Sequence, residues 1–129
     1  MKLDALKTWT VPLPGVSNVD AAVGSAIPAN MRRCIYKVKA TNLFAGANRL
    51  TLGKRENGAV GTTVMDYIQT ALIYDIWNDP DELKEDSAPL YIVEGAGTTG
   101  ASTIRALCSA AGNFYLTIWY EDTPAPQAR

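Results

Sequence analysis

Alternation of apolar and polar residues is the dominant local pattern in this chain, and it predicts β-strands. From Arg33 to Thr41 the pattern is that of a strand with one buried face. The buried positions expected there are Cys34, Tyr36, Val38 and Ala40, while the opposite face carries Lys37, Lys39 and Thr41. Similar patterns predict strands at Lys7–Val11, Pro89–Glu94, Thr103–Cys108 and Phe114–Glu121.

The dipeptide Asn57-Gly58 predicts a β-hairpin. Asn-Gly is the preferred pair for a two-residue type I′ turn, because both residues must adopt positive φ. Counting outward from this turn places Leu52 opposite Thr63 and Leu50 opposite Met65, so that apolar side chains meet on one face.

The segment Val64–Trp77 admits two interpretations. Thr63 and Asp66 form a potential capping pair, and the apolar residues that follow fit one face of a helix. Its Val, Tyr, Ile, Thr and Trp residues favour strand instead, and the hairpin leads directly into it. We expect a strand with a break near Thr70.

Two further stretches complete the predicted architecture. Asp79 as N-cap, Pro80 at the first helical position and Glu82 predict a short surface helix over 80–86. Prolines and glycines recur through Pro12–Asn30 and interrupt regular secondary structure. We therefore expect this segment to form an extended arm without regular structure. The fold class predicted is mainly β, an antiparallel, jelly-roll-like sandwich of about seven or eight strands. It divides into a strand and arm over 1–30, the sandwich over 31–122 and a flexible tail over 123–129.

Composition and charge argue against nucleic acid and membranes as partners. The chain has 129 residues, 47% hydrophobic and 19% charged, and its formal net charge is −1, which provides no basic field for nucleic acid. It shows no secretory signal and no apolar run of membrane-spanning length, so we expect synthesis in the cytoplasm and no membrane partner. Cys34 and Cys108 are therefore expected to be reduced and buried, although a disulfide between them is the alternative.

The sequence offers few candidates for catalytic or metal-binding residues. The chain contains no histidine, which excludes Ser-His and Cys-His triads and removes the commonest metal ligand. The acidic residues between Asp75 and Asp86 lack the spacing and the glycine of a calcium loop. We therefore expect a protein that is not an enzyme and that has no catalytic residue, metal site or cofactor.

One motif supports an alternative function, a small-ligand module that binds carbohydrate or nucleotide. Gly95, Gly97 and Gly100 match G-x-G-x-x-G directly after a predicted strand, and Glu121 follows at a distance suited to a ribose hydroxyl. The alternative requires Ser102–Ala111 to be a helix. Its alternation fits a strand equally well, which makes the glycines a loop between two strands.

The last predicted strand is apolar on both faces. One face is expected to fill a core, while Tyr115 and Trp119 lie on the other, where large aromatics are typical of contact surfaces. The other reading is an outer face with scattered aromatics. We expect the strand to be central, with its second face covered by the arm or another subunit. The assembly residues predicted are Pro12, Pro14, Val16, Ile27, Tyr115 and Trp119.

The arm "VPLPGVSNVDAAVGSAIPAN" and the closing strand "NFYLTIWYED" together give the chain a known organisation. It resembles the small jelly-roll-like decoration or coat proteins of tailed phages. The resemblance implies a structural protein that forms homo-oligomers, often trimers, and binds a capsid lattice, and it implies a place in a virion or another extracellular assembly. The resemblance rests on no diagnostic motif, so it assigns no functional residue in this chain.

Overall fold

The computed structural model describes residues 2–13, 21–95, 101–109 and 114–125, with residues 11–13 described by their backbone only. Nine strands form in this part of the chain, after one turn of 3-10 helix at Leu3–Ala5. The strands are β1 Lys7–Leu13, β2 Ala21–Ile27, β3 Met31–Asn42, β4 Asn48–Arg55, β5 Thr63–Thr70, β6 Ile76–Asp79, β7 Tyr91–Glu94, β8 Ser102–Cys108 and β9 Phe114–Pro124. The prediction of a mainly β chain is confirmed, but the predicted count of about seven or eight strands is too low, since nine form in the described residues.

The strands form two antiparallel sheets that pack as a sandwich. Sheet A has the order β1-β9-β3-β6, with β7 also pairing with β3, and sheet B has the order β2-β8-β4-β5. The pairing is nested, because β1 pairs with β9, β2 with β8, β3 with β6 and β4 with β5. The chain is therefore folded back on itself like one long hairpin, with β7 added beside β3.

The core lies between the two sheets and draws on both. β9 lies between β1 and β3, which confirms that the closing strand is central. Its residues Phe114, Leu116 and Ile118 are fully buried. They belong to one hydrophobic cluster with Val23, Ile27, Ile35, Val38, Ala40, Leu50, Leu52, Ile68, Val93, Ile104, Ala106, Cys108 and Tyr120.

A bulge in β3 changes which side chains enter this core. Ile35 pairs with Tyr120 and Lys37 with Trp119, so Tyr36 is an extra residue in the ladder. Val38 and Ala40 face the core as predicted. Cys34 and Tyr36 are buried but outside the core cluster, because the bulge reverses the alternation N-terminal to Lys37 and places Ile35 inside.

The Asn57-Gly58 turn forms, but the predicted register is wrong. Asn57 has φ 55° and Gly58 has φ 78°, and the N–H of Ala59 donates to the carbonyl of Glu56. The strands separate before the turn, since Lys54 pairs with Thr63. Leu52 therefore lies opposite Asp66 and Leu50 opposite Ile68, after an irregularity between Leu52 and Gly53.

The segment Val64–Trp77 is strand, and the break near Thr70 is confirmed. β5 ends at Thr70 in sheet B, and β6 begins at Ile76 in sheet A, so the break is where the chain crosses between sheets.

The helix predicted over 80–86 is wrong. Asp79 is the last residue of β6, where it pairs with Val38. Farther on, the N–H of Lys84 donates to Ser87 Oγ, and the N–H of Ser87 donates to the carbonyl of Lys84. This local turn satisfies backbone groups that a helix would otherwise use.

Two segments that were predicted to be irregular overlap described strands. Ala21–Ile27 forms β2, with Val23 and Ile27 in the core, so the expectation of no regular structure up to Asn30 is wrong. Thr123 and Pro124 belong to β9, opposite Arg32 and Met31. Residues 14–20 and 126–129 lie outside the described part of the chain. No helix within the described ranges is long and apolar enough to cross a membrane.

Candidate functional site

The outer face of sheet A carries exposed aromatic residues between threonines and lysines. Thr41 pairs with Tyr115, Lys39 with Thr117 and Lys37 with Trp119. Paired residues share a face, and this one lies opposite the buried Ala40 and Leu116. Tyr115 is 47% exposed. Trp119 is half-buried, and Lys37 Nζ lies 5.3 Å from its ring centroid.

This face continues into an exposed apolar loop at one end of the sandwich. The crossing from β5 to β6 runs through consecutive apolar residues, and Leu72 and Tyr74 are 65% and 69% exposed. Ile76 also pairs with Thr41, from the side opposite Tyr115, which places Ile76 and Tyr115 two strand spacings apart, about 10 Å. We call the resulting surface the apolar end: Leu43, Leu72, Ile73, Tyr74, Ile76 and Tyr115.

Asn42 holds the loop against the sandwich. Its carbonyl accepts from the N–H of Tyr74 at 2.7 Å, and its own N–H donates to the carbonyl of Asp75 at 2.9 Å. Its side-chain Nδ2 donates to the carbonyl of Leu72 at 2.8 Å. Asp75 Oδ2 in turn accepts from the N–H groups of Ala71 and Leu72. These hydrogen bonds hold the loop backbone in one conformation while its apolar side chains remain exposed.

A network of buried polar side chains lies beneath the loop at the same end of the sandwich. Asn48 Nδ2 donates to Asn42 Oδ1 at 3.3 Å, and Thr70 Oγ1 donates to the carbonyl of Asn48 at 3.1 Å. Ser109 Oγ donates to Asn48 Oδ1 at 3.4 Å. The loop is therefore anchored to β3, β4 and β5.

Tyr74 has an uncommon backbone conformation. Its φ is 67°, in the left-handed region that bulky side chains rarely adopt. Such strain costs on the order of 1–3 kcal/mol, and it is commonly found where structure is constrained by function. Here it directs an exposed tyrosine outward at the tip of the loop.

The predicted assembly residues lie in different environments in the structure. Tyr115 is exposed on the outer face, as expected, and Trp119 shares that face in a half-buried position. Ile27 is 2% exposed and packs in the core, so it cannot contribute to a surface. Pro12 lies in β1, and Pro14 and Val16 lie outside the described residues.

The sequence predicted the break near Thr70 at which this loop lies, but not that the loop presents exposed apolar side chains. The available signal was four consecutive residues, "ALIY", that do not alternate with polar residues and so do not fit a half-buried strand.

The alternative ligand site lacks the structural context that its motif requires. Ser102–Cys108 is strand β8, whereas the dinucleotide fingerprint needs a helix after the glycines. Gly95 packs closely on the backbone, since its N–H donates to the carbonyl of Met31 and a Cβ would collide with the carbonyls of Pro28 and Met31. Glu121 pairs with Cys34 in sheet A, and Gly97 and Gly100 lie outside the described residues.

Burial raises the pKa of titratable side chains in the sandwich. Tyr91 Oη donates to Asp66 Oδ2 at 2.5 Å, and burial, reinforced by this bond, raises the pKa of Tyr91. Burial also raises the pKa of the Cys108 thiol. Both cysteines are free thiols and buried, which confirms the prediction for them. Within the described ranges, no group of three or more acidic or cysteine side chains is arranged to hold a metal ion.

Comparisons of the chain with models of protein families, with curated proteins and with solved structures find no match.

Proposed function

We propose that this protein is a structural subunit that self-associates through the apolar end, as part of a shell or of its surface decoration. The observation that carries the proposal is the exposed cluster around Leu72, Tyr74 and Ile76 on a backbone held by Asn42. Large contiguous exposed apolar patches are uncommon on monomeric proteins and often mark contact sites.

The topology supports the same proposal. Nested pairing of β1 with β9 through β4 with β5 is the arrangement of a jelly roll, an architecture of viral capsid proteins and also of lectins. The organisational resemblance to phage decoration and coat proteins, if it reflects kinship, implies a jelly-roll-like subunit that forms oligomers. A net charge of −1 leaves little long-range repulsion between copies.

The apolar end has the composition of an interface centre. Its members are leucine, isoleucine and tyrosine, and Tyr115 extends it onto the outer face of sheet A. Burying apolar surface contributes about 25 cal/mol per Å² before the costs of association are subtracted. The fixed loop lowers those costs, because less backbone freedom is lost when a partner binds.

Light scattering coupled to size-exclusion chromatography tests the proposal. The intact protein is expected to form a discrete oligomer, and Leu72→Lys with Ile76→Lys should weaken it by about tenfold or more in dissociation constant. Val60→Lys is the matched control, since Val60 is 95% exposed in the β4–β5 connection, away from the apolar end. An intact protein that is monomeric at high concentration would contradict the proposal.

A further inference from the structure

The two ends of the sandwich differ sharply in charge. The two described loops of the apolar end, residues 43–47 and 71–74, read "LFAGA" and "ALIY" and contain no charged residue. The carboxylate of Asp75, which follows the second loop, accepts from two N–H groups of that loop. Ion pairs lie at the opposite end of the strands: Arg32–Glu94, Arg33–Asp122 and Lys54–Glu56.

This polarity indicates which surface the apolar end meets. Laid against the charged end of another copy, it would strip water from ion pairs and offer them no polar partner in return. Its six side chains are on average about half exposed, so at roughly 200 Å² for each fully exposed residue they present on the order of 600 Å². Two apolar ends in contact therefore bury about 1,200 Å² together, the lower bound for a stable interface.

A slot on the outer face of sheet A adjoins these loops. Thr41 of β3 pairs with Ile76 on one side and with Tyr115 on the other. Ile76 and Tyr115 are 59% and 47% exposed, and they form two apolar walls roughly 10 Å apart, with the smaller Thr41 as the floor. An aromatic ring packs about 3.5–4.0 Å from the carbon atoms on each side, so this spacing admits one ring.

Tyr74 carries a ring that its own copy leaves in solvent. The side chain is 69% exposed, while the backbone N–H donates to the carbonyl of Asn42 at 2.7 Å. A tyrosine on a fixed backbone loses little freedom when it is buried, because only two side-chain torsions have to be ordered. We propose that Tyr74 of one copy inserts over Thr41, between Ile76 and Tyr115 of a second copy.

The contact is reciprocal across a twofold axis. Tyr74 is separated from Ile76 by a single residue, so the inserting ring and the receiving slot adjoin on one surface. A surface that carries both halves of a contact is self-complementary, and a twofold axis through it closes the assembly at two copies. The inference rests on the proposed self-association and names the partner surface and the symmetry of that contact.

Three variants test the slot by sedimentation equilibrium. Tyr74→Ala should raise the dissociation constant about tenfold or more, as expected for a buried aromatic anchor, whereas Tyr74→Phe should change it little because the ring is kept. Thr41→Trp should raise it by a similar factor, about tenfold or more, because it fills the slot although it adds apolar surface. Circular dichroism of each variant checks that the fold is retained.

Chemical cross-linking tests the same geometry without weakening the contact. A short bismaleimide should join Tyr74→Cys in one copy to Thr41→Cys in another when the two variants are mixed. The native Cys34 and Cys108 are buried and should not react. Tyr74→Cys mixed with Val60→Cys is the matched control and should give no cross-link, since Val60 lies away from the apolar end.

The outcomes separate this inference from the proposed function. Association that is unchanged in Tyr74→Ala and Thr41→Trp, or the absence of the 74–41 cross-link in an associated sample, overturns the inference. The proposed function then stands if Leu72→Lys with Ile76→Lys still weakens association. A protein that is monomeric at every concentration overturns both.

Discussion

Arg33 is a charged residue at the edge of the core, with a side chain only 1% exposed. Its Nε and Nη2 donate to the two carboxylate oxygens of Asp122 at 2.8 and 2.9 Å, and Nη1 donates to the carbonyl of Ser25 at 2.8 Å. The guanidinium also lies 4.4 Å from the ring centroid of Tyr120. These partners join β2, β3 and β9, so one side chain links the two sheets.

Removing the partner of this buried charge should be costly. We expect Asp122→Ala to lower the free energy of unfolding by about 3–5 kcal/mol, because it leaves the guanidinium buried without its counter-ion. Urea denaturation followed by tryptophan fluorescence measures the change. The double variant Arg33→Met with Asp122→Leu should be less destabilised than Asp122→Ala. A loss below about 1 kcal/mol for Asp122→Ala, as for a surface pair, would contradict this account.

At the scale of elements, the β4–β5 connection combines a turn specified by local sequence with hydrogen bonds to a distant strand. The Asn57-Gly58 turn has the conformation that its sequence predicts, and it also contacts the start of β8. The N–H of Gly58 donates to the carbonyl of Ala101, and the N–H of Asn57 donates to Ser102 Oγ. The turn is therefore held by tertiary contacts as well as by its own hydrogen bond.

Two glycines in this connection give a matched pair of variants. Gly58→Ala should lower the free energy of unfolding by about 1–2 kcal/mol, because φ is 78° there and a Cβ is unfavourable in that region. Gly61→Ala should be neutral or slightly stabilising, because a Cβ at Gly61 meets no heavy atom within 4 Å. Thermal or urea denaturation of both variants checks the difference, and equal effects would show that the turn does not require positive φ.

At the scale of the whole molecule, the two strands described within the first 30 residues belong one to each sheet. β1 closes one side of β9 in sheet A, and β2 adds Val23 and Ile27 to the core from sheet B. The nested pairing explains this arrangement, since the two ends of a chain folded back on itself must lie side by side. The N-terminal region is thus a structural element of the sandwich.

Truncation separates this role from that of a dispensable arm. Deleting residues 1–30 should abolish cooperative unfolding and the near-ultraviolet circular dichroism signal, because the core loses two fully packed side chains and β9 loses a neighbour. Deleting residues 2–6 should preserve both, since the short 3-10 helix there contains no buried residue. A folded, cooperative protein without residues 1–30 would mean that β1 and β2 are peripheral.

Local sequence determined the strand content of this protein. The strands predicted at Thr103–Cys108 and Phe114–Glu121 correspond to β8 and β9, and the break near Thr70 is where β5 ends. Alternation is a local signal, because a half-buried strand must place apolar side chains on every second position. The Asn57-Gly58 turn was predictable for the same reason, since positive φ is a preference of the residues themselves.

Only the tertiary structure decided register, neighbours and the candidate site. The bulge at Tyr36 moved Cys34 out of the core, and β2 formed from small residues and Gly24 because β8 provided a partner and the core a place for Val23 and Ile27. The apolar end depends on Asn42 bonding to a loop thirty residues away. Such contacts join distant parts of the chain, and their energies depend on which surfaces meet, which no local pattern specifies.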